Sequence, residues 1–217
     1  MAAYTADFIG GETYRIFIKN IDTGELIEPE DASPETDARI VWGIDDSTLY
    51  YFKMDDAHRP YQLYRHKVGE SYDNDELLFE EKDDLMWLGL SKSNDEKYLF
   101  LESGSKETSE VLYLDLSDPT ATLQSIGGRR NKVLYEVEHK DGKWFVSTNV
   151  EGTPNMRLMT CDAKPNCADE WEEVKDSAGA TLFNGGIERT LDDGKFIIYI
   201  FFDNERPLYN QGQLRFQ

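Results

Sequence analysis

Four times along the chain, a polar turn containing acidic residues or glycine runs directly into a short apolar segment. These turn and strand segments are 45–52, 94–101, 140–146 and 192–199. Residues at equivalent points in them are separated by 49, 46 and 52 positions, and they are Leu49, Tyr98, Trp144 and Phe196. A repeat of this length, with several short strands in each copy, is typical of a β-propeller blade or a related array.

Three further kinds of short strand accompany these segments and complete the repeat. An opening strand precedes the turn at 39–42, 87–90 and 135–138. An alternating run follows after a loop, at 14–18, 61–65, 110–114 and 155–159. A polar outer strand closes the copies at 77–80, 122–126 and 171–174. Four antiparallel strands in each copy predict an all-β protein built from propeller blades.

The second strand of the repeat is apolar on both alternating faces. This pattern holds in Leu49–Phe52 and again in 196–202. A strand that buries both faces lies in a sheet between two other layers, as in blades stacked around an axis. The only helix-like window, 75–90, is interrupted by the charged run 80–84, which favours a turn.

The repeat predicts about four and a half blades. Their expected intervals are 1–37, 38–84, 85–131, 132–178 and 179–217. The first copy is expected to lack its opening strands, and the last ends after 213–216. A ring that begins and ends inside a blade is unusual, so the pattern indicates an arc from a larger propeller.

The chain is strongly acidic, with 43 acidic and 23 basic side chains and a formal charge of −20. Its 39% hydrophobic content nevertheless favours a packed fold over disorder. Such a charge repels nucleic acid and anionic membranes, so neither is an expected partner. We interpret the charge as a solubility feature, with attraction of basic partners as the alternative.

The composition of the N-terminal segment and the number of cysteines predict the cellular location and the redox state of the cysteines. Residues 1–10 lack the basic start and apolar run of a signal peptide, and no apolar segment approaches a membrane span of ~20 residues. We therefore expect a cytoplasmic protein. Cys161 and Cys167 are expected to be free thiols, although their spacing also permits a local disulfide.

The residue types that carry catalysis or bind metals give no convincing site. The three histidines, His58, His66 and His139, are expected to have structural or surface roles. Paired acids at 45–46, 83–84 and 192–193 lack the alternating spacing of a calcium loop and suit turns instead. We therefore predict no catalytic residue, no metal site and no cofactor.

The aromatic and basic residues likewise favour structural roles. A base-stacking platform is improbable in so acidic a chain, so the prominent aromatic residues are predicted to be core. They are Tyr50, Tyr51, Trp87, Tyr98, Trp144 and Phe145. The basic pair Arg129-Arg130 is predicted to lie in a solvated loop.

Longer motifs carry a family resemblance that covers almost the whole chain and weakens after Glu173. The motifs are 58–66, 75–83, 90–93, 108–111, 113–115, 135–139, 148–149 and 155–158. They resemble the propeller of the oligopeptidase B group in the prolyl oligopeptidase family of serine peptidases. The resemblance implies a seven-bladed propeller that caps an α/β-hydrolase domain and admits short peptides, which this group cleaves after Arg or Lys.

The chain departs from that family in one respect that bears on function. The family's catalytic Ser, Asp and His belong to the hydrolase domain, and the Gly-x-Ser-x-Gly nucleophile elbow is absent from this sequence. The nearest segment, 103–105, lacks the required spacing. Two hypotheses follow: a non-catalytic, substrate-gating propeller piece of a peptidase whose partners are the missing blades and the hydrolase domain, or a self-standing propeller that binds a protein partner.

Overall fold

The structure, a computed structural model, describes residues 1–28, 32–45, 47–152, 156–175, 185–190, 196–200 and 212–214. The chain forms two compact units. The first comprises residues 1–91, 101–103 and 114–123, and the second comprises 92–100, 104–113 and 124–217. In the described part of both units the regular secondary structure consists of β-strands and three single-turn 3₁₀ helices, at Tyr72–Asn74, Val150–Gly152 and Ala168–Glu170.

Three complete four-stranded antiparallel sheets confirm the predicted blades. The first of them consists of β3 Ile40–Trp42, β4 Thr48–Met54, β5 Pro60–Lys67 and β6 Glu76–Glu80. The next consists of β7 Trp87–Lys92, β8 Tyr98–Gly104, β9 Ser109–Asp115 and β10 Gln124–Ser125. The third consists of β11 Tyr135–Lys140, β12 Lys143–Thr148, β13 Arg157–Asp162 and β14 Glu172–Glu173. In each sheet the strands pair in chain order, which is the connectivity of a propeller blade.

Two shorter sheets flank these three in the sequence. At the start, β1 Ala2–Ala6 pairs with β2 Arg15–Lys19, and an isolated bridge joins Lys19 to Leu26. Near the end, β15 Gly185–Thr190, β16 Phe196–Ile200 and β17 Gly212–Leu214 form a three-stranded sheet. The expectation that the first copy lacks its opening strands was wrong for β1, because this strand pairs with β2 along its whole length.

The second strands are buried as their pattern predicts. In β4, Leu49, Tyr51 and Phe52 are fully buried, and Tyr50 is 3% exposed. A strand with two buried faces belongs inside a layered stack. The side chains of the corresponding segment 196–202 lie outside the described residues.

Each unit has its own apolar core. In the first unit, Ile16 and Ile18 of β2 pack with Leu49, Tyr51 and Tyr72. In the second unit, the core centres on the fully buried Trp144 of β12 and includes Phe100, Val111, Ile126, Tyr135, Val146 and Met159. The indole ring of Trp144 packs against four aromatic rings, those of Tyr98, Phe100, Tyr113 and His139.

The prediction for the six aromatic residues was wrong for Trp87. Its side chain is 54% exposed because it stands at the first position of β7, an edge strand of its sheet. Tyr98 and Phe145 are half-buried, whereas Tyr50, Tyr51 and Trp144 belong to the core as predicted.

The structure also corrects the expectation of free thiols. Cys161 and Cys167 form a disulfide, and both residues are buried. The loop that the disulfide closes runs beside β10, where the backbone N–H of Cys167 donates to the Ile126 carbonyl at 2.9 Å. The spacing of the cysteines in the sequence does not by itself encode this packing.

The basic pair at 129–130 is only in part a solvated loop. Arg129 is exposed and forms an ion pair with Glu110 at 3.4 Å. Arg130 is half-buried, and its guanidinium lies 4.7 Å from the centre of the Trp171 ring. This cation–π stacking over an aromatic face shields one of the two side chains partly from solvent.

Candidate functional site

The three histidines occupy three different structural settings. His58 lies in the loop between β4 and β5 with a positive φ of 58°, and its backbone N–H donates to the Asp55 carbonyl at 2.9 Å. His66 and His139 are buried, at 0% and 2% exposure. The two buried histidines therefore define the titratable clusters that the structure offers as candidate sites.

His66 lies at the centre of the larger cluster, in the first unit. Its Nδ1 is 2.7 Å from the Asp75 carboxylate, and its Nε2 is 3.0 Å from the Glu28 carboxylate. Glu28 also accepts hydrogen bonds from the Gly69 N–H and from the Tyr72 hydroxyl, both at 2.8 Å. The ring of Tyr72 stacks on the imidazole with a centroid separation of 3.9 Å.

The ionisation of this cluster is set by mutual hydrogen bonding. Burial alone lowers the pKa of His66, but hydrogen bonds to Asp75 and Glu28 outweigh it and raise the pKa to about 9. Burial raises the pKa of Glu28, whereas hydrogen bonds from His66, Gly69 and Tyr72 outweigh it and lower the pKa. The raised pKa of His66 and the lowered pKa of Glu28 favour an ion pair between these two side chains at neutral pH.

The second buried histidine belongs to a cluster in the second unit. His139 Nδ1 is 2.7 Å from the Asp95 carboxylate, in the turn between β7 and β8. The neighbouring Glu138 accepts from the backbone N–H of Asn94 at 3.0 Å. Burial raises the pKa of Glu138 despite its hydrogen bonds from Asn94 and from the backbone of His139. These contacts join β11 to the turn that precedes β8, which is a structural role.

The serine hydroxyl groups of segment 103–105, the nearest match to a nucleophile elbow, form hydrogen bonds with a structural role. Ser103 is fully buried and donates to the Glu81 carboxylate. The Ser105 hydroxyl bonds the Thr108 carbonyl at 3.2 Å inside a tight turn. Neither arrangement supplies the base that activates a serine nucleophile.

The acidic pairs behave as turn residues where the structure describes them. The Asp45 carboxylate accepts from the backbone N–H and the hydroxyl of Ser47, at 3.2 and 2.7 Å. Asp83 accepts from the Leu85 N–H at 3.0 Å. Asp46 and the pair 192–193 lie outside the described residues. Within the described ranges, no group of three or more His, Cys, Asp or Glu side chains is placed to hold a metal ion.

Two surface features remain as candidates for binding. The first is the edge strand β7, which exposes the side chain of Trp87. Gly89 lies in the same strand, and Nη1 of Arg39 is 3.7 Å from the position that a Cβ atom on Gly89 would take. In the second unit, a shallow cavity of about 330 Å³ is lined by Trp171 and mostly by charged side chains, namely Lys143, Asp162, Asp169, Glu170 and Glu172. Of the helices that the structure describes, none is long and apolar enough to cross a membrane.

Comparison with known proteins defines the class to which these sheets belong. The family model for the prolyl oligopeptidase N-terminal β-propeller domain matches residues 1–182. The chain therefore belongs to this propeller domain family, whose blades account for its four-stranded antiparallel sheets.

Individual relatives agree with this assignment. Protease 2 from Moraxella lacunata is 38% identical over 159 residues, which is 73% of this chain and 23% of that protein. Dipeptidyl aminopeptidase BI from Pseudoxanthomonas mexicana is 28% identical over 80% of this chain and 24% of that protein. The chain thus spans about a quarter of the length of these two curated relatives.

Solved structures show the same fold. Oligopeptidase B from Leishmania major superimposes with a TM-score of 0.73 at 24% identity, covering 98% of this chain and 31% of that one. Oligopeptidase B from Trypanosoma brucei gives a TM-score of 0.69 at 24% identity, covering 90% of this chain and 27% of that one. The chain is thus similar to only the propeller part of oligopeptidase B-like peptidases, consistent with a non-catalytic portion.

Sequence reasoning missed the partners of His66. Glu28 and Asp75 are 38 and 9 residues away from the histidine in the chain. The resemblance motifs 58–66 and 75–83 contain His66 and Asp75, but they do not reveal that the two side chains pair. Glu28 is identified as a partner of His66 only by the hydrogen-bond donors that surround its buried carboxylate. Those donors come together only in the folded chain.

Proposed function

We propose that this chain is the substrate-selecting propeller portion of a serine endopeptidase that cleaves short peptides after Arg or Lys, and that the chain itself does no bond cleavage. The observation that carries the proposal is the family match over residues 1–182, together with sheets of the corresponding four-stranded form. The relative named Protease 2 and the neighbours titled oligopeptidase B support the same type of peptidase.

The proposal gives the propeller the role of a filter. Blades stack around a central channel, and a channel of this kind admits an extended peptide and excludes a folded protein. The intervals 1–37, 38–84, 85–131, 132–178 and 179–217 are proposed as blades or parts of blades of a seven-bladed ring. The partners are then the remaining blades, the hydrolase domain and the peptide substrate, with no nucleic acid or membrane.

The compartment belongs to the same proposal. The cytoplasmic location stays a prediction, and the disulfide between Cys161 and Cys167 counts against it, since disulfides are rare in the cytosol.

The experiment uses the complete coding sequence that contains this chain. The longest encoded protein is assayed on two substrates with one Arg cleavage site, a short peptide and the same sequence inserted in a surface loop of a folded protein. A propeller filter predicts rapid cleavage of the short peptide and at least a hundredfold slower cleavage of the insert. Equal rates on both substrates would contradict a filtering role, and a protein that ends at Gln217 without any peptidase partner would favour the self-standing propeller.

A further inference from the structure

The two ring nitrogens of His66 face carboxylate oxygens from two different segments of the chain. Nδ1 is 2.7 Å from Asp75, which follows the 3₁₀ helix, and Nε2 is 3.0 Å from Glu28, which precedes β3. An ionised carboxylate only accepts hydrogen bonds, and a neutral imidazole carries a single N–H. Both contacts are therefore satisfied only by the doubly protonated ring.

Both oxygens of each carboxylate already have hydrogen-bond partners in addition to the ring or opposite it. Glu28 Oε1 accepts from the Gly69 N–H in addition to the ring, and its Oε2 accepts from the Tyr72 hydroxyl at 2.8 Å. Asp75 Oδ2 accepts from the Tyr51 hydroxyl, also at 2.8 Å. With donors placed on both oxygens of each acid, the proton belongs to the histidine.

We propose that His66 is an imidazolium at neutral pH and acts as a buried ionic latch. The latch holds the segment Leu26–Glu28 against β5 and the 3₁₀ turn. It opens in alkaline solution. Apart from the Glu28 carboxylate, which also accepts from the Gly69 N–H and the Tyr72 hydroxyl, the segment is held through its backbone. Leu26 bridges to Lys19, and the Ile27 N–H donates to the Ile18 carbonyl at 2.8 Å, while both apolar side chains are 39% exposed.

The ring is in direct contact with Tyr72 of the 3₁₀ helix and with the two carboxylates. Tyr51 of β4 lies one step further out, where its hydroxyl donates to Asp75. Burial, together with the neighbouring carboxylates, raises the pKa of both tyrosines above the ordinary value. The histidine is consequently the group that changes charge first as the solution becomes alkaline.

The direction of the pH effect follows from the raised pKa of His66, about 9 against 6.5 in the unfolded chain. The contribution of His66 is fully present below pH 6.5 and is lost as the pH rises from 6.5 through 9. The latch also needs ionised Glu28, so it stabilises the fold fully between pH 4.5 and 6.5. The loss corresponds to a decrease on the order of 100-fold in the ratio of folded to unfolded protein.

The test follows the side-chain nitrogen signals of the three histidines in the ¹⁵N-labelled chain by NMR. At pH 8, we expect His66 to show two protonated ring nitrogens in the folded chain and the neutral form in urea, where the ordinary pKa applies. The folded signal should titrate near pH 9. A folded His66 that is neutral at pH 8 would overturn the latch.

A variant separates the latch from general burial. Glu28→Gln removes one charge and keeps the side-chain shape, so it should lower the apparent pKa of His66 and increase amide exchange in residues 20–28 at least tenfold at pH 7. His139, in the other unit, is the internal control, and its signals should not move. Unchanged exchange together with an unchanged His66 titration would contradict the proposal. If the variant does not fold, the wild-type titration alone decides.

Discussion

The guanidinium of Arg59 donates a hydrogen bond of 2.9 Å to the backbone carbonyl of Met86, across the connection from β6 to β7. The same Nη1 donates to the Asp83 carbonyl at 3.0 Å, and Nε donates to the Asp55 carboxylate at 2.9 Å. The residue is only 7% exposed. One buried side chain thus joins the loop between β4 and β5 to the strand connection that begins the next sheet.

Replacement of this arginine should therefore be costly. We expect Arg59→Met to lower the free energy of unfolding by about 3 kcal/mol, because two carbonyl groups and Oδ2 of Asp55 lose the donors of this buried side chain. Arg39→Met is the matched control. Arg39 pairs with Asp37 at a side-chain exposure of 46%, so its loss should cost less than about 1 kcal/mol. Urea unfolding of both variants measures the difference, and equal losses would show that the buried contacts of Arg59 contribute nothing special.

The hydroxyl of Tyr135 gives a second prediction. It accepts from the Val111 N–H at 3.0 Å and donates to the Gly128 carbonyl at 3.2 Å, joining β11 to β9. Tyr135→Phe leaves a buried N–H unpaired, so the unfolding free energy should fall by about 1–2 kcal/mol. Tyr113→Phe, whose exposed hydroxyl bonds Gln124 at 3.2 Å, should change it by less than about 0.5 kcal/mol. If Tyr113→Phe lowered the unfolding free energy by more than this, the burial of the hydroxyl group would not determine its contribution to stability.

The two tryptophans at 87 and 144 provide a direct test of the burial assignment. Trp144 is fully buried and donates its indole N–H to the Lys164 carbonyl at 3.1 Å, so Trp144→Ala should cost about 3–5 kcal/mol. Trp87→Ala should change stability by no more than about 0.5 kcal/mol, since the side chain is 54% exposed. Thermal melts of the two variants measure the contrast. A destabilised Trp87→Ala would restore the sequence-based view of Trp87 as core.

Stability in acid depends on Glu28. The pKa of this carboxyl is lowered in the folded chain because the hydrogen bonds from His66, Gly69 and Tyr72 outweigh its burial. Its contribution to the stability of the fold is therefore present above the ordinary carboxyl pKa of 4.5, which applies in the unfolded chain, and is lost as the pH falls below that value. We expect the melting temperature of the wild type to fall more steeply than that of Glu28→Gln between pH 5 and 3. Parallel curves would remove Glu28 from the acid response.

The sequence predicts the strands well where both faces or alternate faces are apolar. The strand containing Leu49–Phe52 is the clearest case, because burial of both faces leaves little freedom in its assignment. The strand Ala2–Ala6 was missed because its small and polar residues give little hydrophobic contrast, and only pairing with β2 reveals it. Local pattern therefore determines the repeat but not every edge of it.

The candidate clusters could not be predicted because they depend on tertiary packing. Glu28 lies 38 residues from His66 in the chain, and no spacing rule connects them. The disulfide differs from this cluster because its two cysteines are close in the chain. The spacing of Cys161 and Cys167 permits either free thiols or a disulfide, and the structure shows the disulfide in a buried loop. Trp87 shows the same limit, since residue type alone does not reveal that an edge strand leaves it exposed.

The central claim is that this chain is a non-catalytic propeller portion, and the most direct measurement is peptidase activity of the purified 25.0 kDa chain. It is incubated with chromogenic peptides that end in Arg or Lys, and separately with a serine-directed phosphonate followed by intact mass analysis. We predict no turnover above buffer and no added mass. Turnover that the phosphonate blocks, with one phosphonate covalently attached to this chain, would contradict the account.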